Sequence, residues 1–369
     1  MSFKDWELYF LSIIKSEKKG FVPSFLRGFL WLLSLPFAFL VGLRNWAYDH
    51  GWVSSYTPPI PLVISIGNIV AGGTGKTPVT LLIADEFYPQ TPLGILSRGY
   101  RSLAEKLRLP VVVCKGNGAI HPASYCGDEP YLLAQNLPKA FIAVGRDRRK
   151  AAKIAAKAGC KVLLMDDAMQ HRAIARDLEV VVMDTLDPFG QGYYLPRGLL
   201  REGVSGLGRA DLIILNHTGD HTRYEALKRQ LSHSTSAPVV GTQMEVVGVF
   251  DLMGEPVTLS GQNVALFCGI ARPEYFLKTV EQLGAAVVAQ FAMADHDVVD
   301  LEVLMEYARN SQKKGATVLV CTEKDRVKLE NPVELPLSIV WVKTRLRVVE
   351  GQQAWTHFIA RSKASLRST

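Results

Sequence analysis

PLVISIGNIVAGGTGKTPVTLLIADEF, residues 61–87, decides how the rest of the chain is read. It opens on an unbroken apolar, β-branched run, Leu62–Ile66, and passes through a glycine-rich turn. It then reaches Gly75-Lys76-Thr77 at the head of a helical pattern, Pro78–Phe87. Proline is at home in the first turn of a helix, where its missing N–H is not needed. A buried strand, a glycine loop and a helix in that order are the context a phosphate-binding loop requires. Glycines let backbone N–H groups approach a polyphosphate, and the helix N-terminus adds partial positive charge. In such a loop Lys76 reaches the β- and γ-phosphates and the Thr77 hydroxyl holds Mg²⁺. The expected binding stretch is therefore Val70, Ala71, Gly72, Gly73, Thr74, Gly75, Lys76 and Thr77. In GxxxxGK[ST] the first glycine falls on position 70, which here is Val70; Gly72 and Gly73 lie inside the loop instead.

Working outward, apolar runs recur at 93–96, 111–114, 140–144, 162–165, 180–183 and 212–215, with helical patterns at 129–136 and 147–158. Strands alternating with helices predict a mostly parallel sheet covered on both faces, a P-loop NTPase-like α/β lobe. After about Pro238 the rhythm changes. A long extended segment, Val239–Val249, precedes strands at 264–268, 286–291 and 317–321 and helices at 273–283 and 298–310. This reads as a second, smaller α/β lobe. A strand at 337–342 and a helix at 351–363 close the chain.

The second chemical signal is VLLMDDAMQH, residues 162–171. A buried strand ends in Asp166 and Asp167, with Gln170 and His171 close behind. An acidic residue at the end of a neighbouring strand completes the Mg²⁺ site in P-loop enzymes. A strand-to-helix turn with a capping aspartate is the plainer alternative.

Composition bounds these readings. The 369 residues are 48% apolar and 21% charged, which suits two folded domains and excludes a disordered chain. There are 42 Lys+Arg against 35 Asp+Glu, a net +7 that favours acidic partners. The five cysteines are odd in number and form no CxxC pair, which argues against a zinc knuckle or a secreted disulfide framework and for a reducing, cytosolic compartment. Nucleic acid is not expected, since there is no aromatic-studded basic strand and no zinc spacing. Near the N-terminus, Phe29–Leu43 is a fifteen-residue run without charge, flanked by Arg27 and Arg44. It falls short of the roughly 20 residues a spanning helix needs, and no small-residue cleavage site follows it. Two readings stand: a buried core helix kinked at Pro36, or a monotopic helix in the cytoplasmic leaflet.

Seven further stretches accompany the glycine loop: ILSRGYRS (95–102), GDEPYLLA (127–134), VGRDRRKAA (144–152), DDAMQHRAIARDLEVVVMD (166–184), FCGIARPEYF (267–276), ADHD (294–297) and TEKDRVKL (322–329). Together they resemble tetraacyldisaccharide 4'-kinase, the inner-membrane kinase of lipid A biosynthesis, from about Arg44 to Leu329. The resemblance implies transfer of the ATP γ-phosphate to the 4'-hydroxyl of a tetraacylated glucosamine disaccharide 1-phosphate, giving lipid IV-A. It also implies a two-stranded linker between the lobes and a membrane-seated N-terminal helix on the cytoplasmic face of the inner membrane. The implied division is 1–45 for that helical segment, 46–238 for the kinase lobe and 239–260 for a linker strand. Residues 261–335 then form the smaller lobe, and 336–369 the return strand and closing helix. No obligate protein partner is expected.

Three departures from the family pattern stand out. DDGFQHR becomes Asp166-Asp167-Ala168-Met169-Gln170-His171-Arg172; paired histidines become His296-Asp297; GPLRE becomes Gly198-Leu199-Leu200-Arg201-Glu202. A sugar hydroxyl must lose its proton as it attacks phosphorus. Asp128 is the expected base because the resemblance places this aspartate at the active site; capping of a helix is its plainer role. His296 is expected to orient it. Glu202 and Arg201 are expected to join the metal and phosphate clamp. Arg146, Arg148, Arg149 and Lys150 read either as a solvated face or as a grip on the substrate 1-phosphate or anionic headgroups. Thr322–Asp325 reads as a capping box. The alternative to the kinase is a soluble P-loop NTPase acting as a switch or metallochaperone.

Overall fold

The computed structural model describes residues 9–10, 12–15, 17–270, 272–293, 300–329 and 335–366. In chain order its main elements begin with helix α1 (Phe21–Asp49), strand β1 (Leu62–Gly67), α2 (Lys76–Asp85), β2 (Leu93–Ser97), β3 (Val111–Lys115), α3 (Ala123–Cys126) and α4 (Asp128–Asn136). Then come β4 (Phe141–Val144), α5 (Arg148–Lys157), β5 (Val162–Asp166), β6 (Leu178–Asp184), β7 (Leu212–Asn216), α6 (His221–Leu231) and β8 (Val239–Asp251). The last are β9 (Asn263–Cys268), α7 (Pro273–Gln282), β10 (Ala286–Ala292), α8 (Leu301–Lys313), β11 (Val318–Thr322), α9 (Glu323–Arg326), β12 (Ser338–Glu350) and α10 (Gln352–Ser365). The predicted α/β class is the class observed. The expected start of α8 at Val298 lies outside the described residues.

Two compact units result, each drawn from separate segments. Met1–Thr80, Val162–Gln243 and Val348–Thr369 make the first; Leu81–Lys161 and Met244–Arg347 make the second. In the first unit β8, β7, β6, β1 and β5 lie side by side in that order, all parallel. Every residue of β1, β5, β6 and β7 is buried. Strands covered on both faces read as continuous apolar runs, which is why the sequence pattern locates them. Their register sets Ile66 opposite Asp166 and Asp184 opposite Asn216. The strands therefore finish along one carboxyl edge, where open parallel sheets bind ligands.

Helix α1 also belongs to this unit. Its 29 residues span about 44 Å, and it runs on through Pro36. Only Leu30 and Ser34 are buried, whereas Phe21, Phe25, Phe29, Leu32 and Leu40 are 86, 69, 50, 57 and 62% exposed. The buried-core reading of Phe29–Leu43 is thus not what is found. The helix outruns the fifteen-residue apolar run because its polar end is held. Arg172 Nη2 pairs with Asp49 Oδ1 at 2.6 Å, Arg172 Nη1 donates to the Asn45 carbonyl at 3.1 Å, and Asn45 Nδ2 donates to Glu202 Oε1 at 3.0 Å.

In the second unit β4 pairs in parallel with β2 and antiparallel with β3. Strand β9 lies between β10 and β11, and β11 pairs with β12, all parallel. Alternation along β9 makes two faces. Val264, Leu266 and Cys268 pack with Phe276 and Val280 of α7, while Ala265 and Phe267 pack with Leu304 and Ala308 of α8.

Candidate active site

The loop between β1 and α2 is held by side chains from neighbouring strand ends. Asn216, closing β7, donates from Nδ2 to the carbonyls of Thr74 at 2.6 Å and Gly75 at 3.4 Å, and its Oδ1 accepts the Thr242 hydroxyl at 2.6 Å. Asn68 Nδ2 donates to Thr74 Oγ1 at 2.9 Å, and Gln170 Nε2 donates to the Asn68 carbonyl at 2.8 Å. These bonds fix the loop through carbonyls and side chains, while the Ala71 N–H donates to the Leu199 carbonyl at 2.7 Å. Val70, where the pattern asks for glycine, is 4% exposed and bridges antiparallel to Leu200. It belongs to the core with Met169, Met183 and Leu215, so position 70 serves packing.

Gly75 cannot be replaced so easily. Its φ is +80°, and a Cβ there would lie 2.5 Å from Asn216 Nδ2. Gly75→Ala is expected to cost at least about 1–2 kcal/mol from the left-handed backbone alone and to push Asn216 off the loop carbonyls. A lowered melting temperature with ATP affinity weakened more than about tenfold is the expected result, read by calorimetry and nucleotide titration.

Around α2 the structure brings several predicted residues together. Lys76 opens the helix, and its Nζ lies 3.6 Å from Asp167 Oδ1. Arg201 forks onto the same carboxylate, Nη2 to Oδ1 at 2.8 Å and Nη1 to Oδ2 at 3.2 Å. Asp166, 2% exposed, accepts the Thr80 hydroxyl at 3.4 Å, one helical turn beyond the buried Thr77. Asp167 takes a positive φ of 48°, which turns the chain immediately after β5. Glu202 is 1% exposed and is bonded by Arg209, by Asn45 and by Gln170 Nε2 at 3.4 Å. Burial, then the nearby Glu202 carboxylate, pushes the Tyr194 phenol above its ordinary value.

The turn after Asp167 rests on a residue the sequence reading missed. Arg176 donates from Nη1 to the carbonyls of Ala168 at 3.2 Å and Met169 at 3.3 Å, and from Nη2 to that of His171 at 2.6 Å. Its charge is met by Glu179 at 2.7 Å. Ala168 and Met169, the departures from the family pattern, are fully buried here.

In the second unit, Asp128 is the first residue of α4 and Gly127 occupies the cap position. The ammonium of Lys328, 5% exposed, lies 3.7 Å from Asp128 Oδ2 and 3.2 Å from Asp325 Oδ1. The fully buried Asp325 also accepts the Gly269 N–H at 3.0 Å and the Thr322 hydroxyl at 2.6 Å, and Thr322 caps α9. Of the capping box read from the sequence the Thr322 half is present, its hydroxyl accepting the Asp325 N–H at 3.2 Å, while the Asp325 carboxylate is turned to the Thr322 hydroxyl and the Gly269 N–H. Nearby, Lys324 meets Glu129 at 3.7 Å and Asn136 donates to Glu323 at 3.0 Å. Arg148 is buried, so the basic run is not one solvated face; Asp147 caps α5 and accepts from the backbone of Arg149 and Lys150. His296 lies outside the described residues.

Comparison with known proteins adds an independent line. A family model described as tetraacyldisaccharide-1-P 4'-kinase matches residues 26–363. The tetraacyldisaccharide 4'-kinase of Anaeromyxobacter dehalogenans is 37% identical over 341 residues, 90% of this chain and 88% of that one. That of Chlamydia pneumoniae is 35% identical over 332 residues, 87% of each chain. The crystal structure of LpxK from Aquifex aeolicus in complex with ATP is 26% identical, with a TM-score of 0.73, covering 91% of this chain and 99% of that one.

Proposed function

Because the chain belongs to the tetraacyldisaccharide-1-P 4'-kinase family, we propose that the residues gathered at the carboxyl ends of β1 and β5 carry the family's reaction. That reaction is transfer of the γ-phosphate of ATP to the 4'-hydroxyl of tetraacyldisaccharide 1-phosphate, giving lipid IV-A in lipid A biosynthesis. The observation that carries this assignment is the meeting of Lys76, Asp166 and Asp167 around the first turn of α2.

The loop Val70–Thr77 acts as a P-loop, its N–H groups and the Lys76 ammonium taking the β- and γ-phosphates. Thr77, Asp166 and Asp167 offer oxygen donors only, two of them carboxylates, which is the set Mg²⁺ takes beside nucleotide phosphates. Bound there, Mg²⁺ would neutralise charge gathering on the transferred phosphoryl group. Glu202, the further ligand expected, carries Arg209, Asn45 and Gln170 on its carboxylate, as Asp167 carries Lys76 and Arg201, and through Asn45 it also holds the end of α1 in place. Asp128 accepts the 4'-hydroxyl proton and His296 orients it. The lobes divide near residues 238 and 261, with β8 and β12 as the two linker strands. The direct test is labelled ATP with the disaccharide 1-phosphate in detergent micelles. Label entering the lipid is expected; ATP turnover without labelled lipid would overturn the assignment.

Helix α1 seats the enzyme on the cytoplasmic face of the inner membrane, peripheral or monotopic. Phe21, Phe25, Phe29, Leu32, Phe39 and Leu40 are exposed along it, and Arg27 and Arg44 flank its uncharged run. Replacing Phe25, Phe29, Leu32 and Leu40 with serine is expected to release the protein from vesicles and to raise KM for the lipid more than for ATP. The melting temperature should hold, because these side chains are already exposed. Unchanged vesicle binding would contradict the membrane role.

A further inference from the structure

The stretch Ile95–Ser102 is part of the family resemblance, yet the reaction described above makes no use of the loop it enters. That loop, residues 98–110, leaves the carboxyl end of β2 and is firmly built. Gly99 has φ +67°, and a Cβ there would lie 2.2 Å from Val144 Cγ1, so its backbone is packed tightly against β4. Ser102 and Ala104 are buried. The Glu105 carboxylate accepts Arg98 Nε at 2.6 Å and the Arg101 N–H at 2.9 Å, and the Glu105 N–H donates to Ser102 Oγ at 3.0 Å.

With those groups turned inward, the apolar side chains face water. Tyr100, Leu103, Leu107 and Leu109 are 51, 54, 46 and 67% exposed. Arg101, Lys106 and Arg108 are exposed among them, and the Arg101 guanidinium lies 5.4 Å from the centre of the Tyr100 ring. Glu105, the one acidic residue between 98 and 110, is engaged by Arg98 and has Arg146 at 4.0 Å. An anchored turn that presents leucines with interleaved cations and no free acid is poorly suited to water alone. It is also poorly suited to a protein partner. Stable interfaces draw about 800 Å² from about 20–30 residues on each side, and this turn offers thirteen residues, 98–110. Leucines that reach the acyl boundary while arginine and lysine meet phosphate headgroups are the chemistry of a bilayer surface.

We propose that the 98–110 loop is a second membrane-docking surface, separate from α1, whose partner is an anionic phospholipid bilayer. The tyrosine and leucines enter the headgroup region, and Arg101, Lys106 and Arg108 neutralise lipid phosphates.

The native cysteines make a direct test available. All five are buried, and burial pushes the Cys126 and Cys160 thiols up to about 12 and about 11, so an introduced surface cysteine labels selectively. In the full chain, Leu107→Cys would carry an environment-sensitive dye. The control is Lys157→Cys at the end of α5. Lys161, shortly after it, donates its N–H to the Pro92 carbonyl ahead of β2, at the opposite end of that strand from Arg98. With phosphatidylglycerol-containing vesicles, the dye at 107 is expected to shift to the blue and to be quenched several-fold by nitroxide-labelled lipid, while the dye at 157 is not. Phosphatidylcholine vesicles, high salt or Arg101→Ser/Lys106→Ser/Arg108→Ser should each weaken the quenching. A water-like dye at 107 on protein that sediments with the vesicles would overturn the proposal, as would failure of the full chain to sediment. A shift that appears only when the disaccharide 1-phosphate is present would also overturn it, because the loop would then be a grip on substrate.

Discussion

Lys76→Ala is expected to lower phosphoryl transfer at least about a hundredfold, because a cation placed on charge that develops in the transition state supplies several kcal/mol of stabilisation. The fold should survive the change. Asp167, which Lys76 approaches at 3.6 Å, keeps both arms of Arg201 at 2.8 and 3.2 Å, so its carboxylate is not left without a cation. Loss of turnover with a melting temperature close to that of the wild type is therefore the expected pair of observations, measured by label transfer at saturating ATP and by thermal unfolding. Lys76→Arg is not expected to restore the rate. A planar fork cannot take the place of a compact ammonium inside a loop shaped by Asn68, Asn216 and Gln170. A folded Lys76→Ala enzyme with near-normal turnover would remove the glycine-rich loop from the reaction.

The parts of this architecture legible in the sequence are those where local pattern and tertiary role agree. Strands β1, β5, β6 and β7 are buried on both faces, so their apolar runs mark them to within a residue or two. Thr322 caps α9 by accepting the Asp325 N–H, a bond between residues three apart that local spacing alone announces. What escaped the sequence depends on contacts between distant residues. Asn216 follows an ordinary apolar strand, and nothing in Leu-Ile-Ile-Leu-Asn announces that its amide will hold the Thr74 and Gly75 carbonyls. Arg176 looks like any charged turn residue, yet it ties down three carbonyls between Ala168 and His171. Helix α1 outran its apolar core because Arg172 and Glu202, more than a hundred residues away, hold its polar end. Arg148 sits in a basic run that reads as surface, but the cap at Asp147 sets a helix phase that turns it inward.

Asp128→Asn separates chemistry from architecture in the second unit. Asp128 opens α4, where a negative charge gains from the helix dipole, and it lies 3.7 Å from the Lys328 ammonium. Asparagine forgoes about 0.3–1 kcal/mol of dipole interaction and the loose ion pair. Lys328 keeps Asp325 at 3.2 Å, so no buried cation is left without a carboxylate, and stability should fall by less than about 1 kcal/mol. An amide cannot accept the proton of the attacking hydroxyl. If Asp128 is the base, kcat should fall by roughly 10²–10⁴ with ATP affinity nearly unchanged. His296→Ala should share part of the defect, and the double variant should lose less than the product of the two single losses, because groups that act as one unit are not additive. Wild-type kcat in Asp128→Asn on the lipid substrate would make the carboxylate structural. The proton would then pass to His296 or to the phosphate itself, and retention or loss of activity in His296→Ala would decide between those two routes.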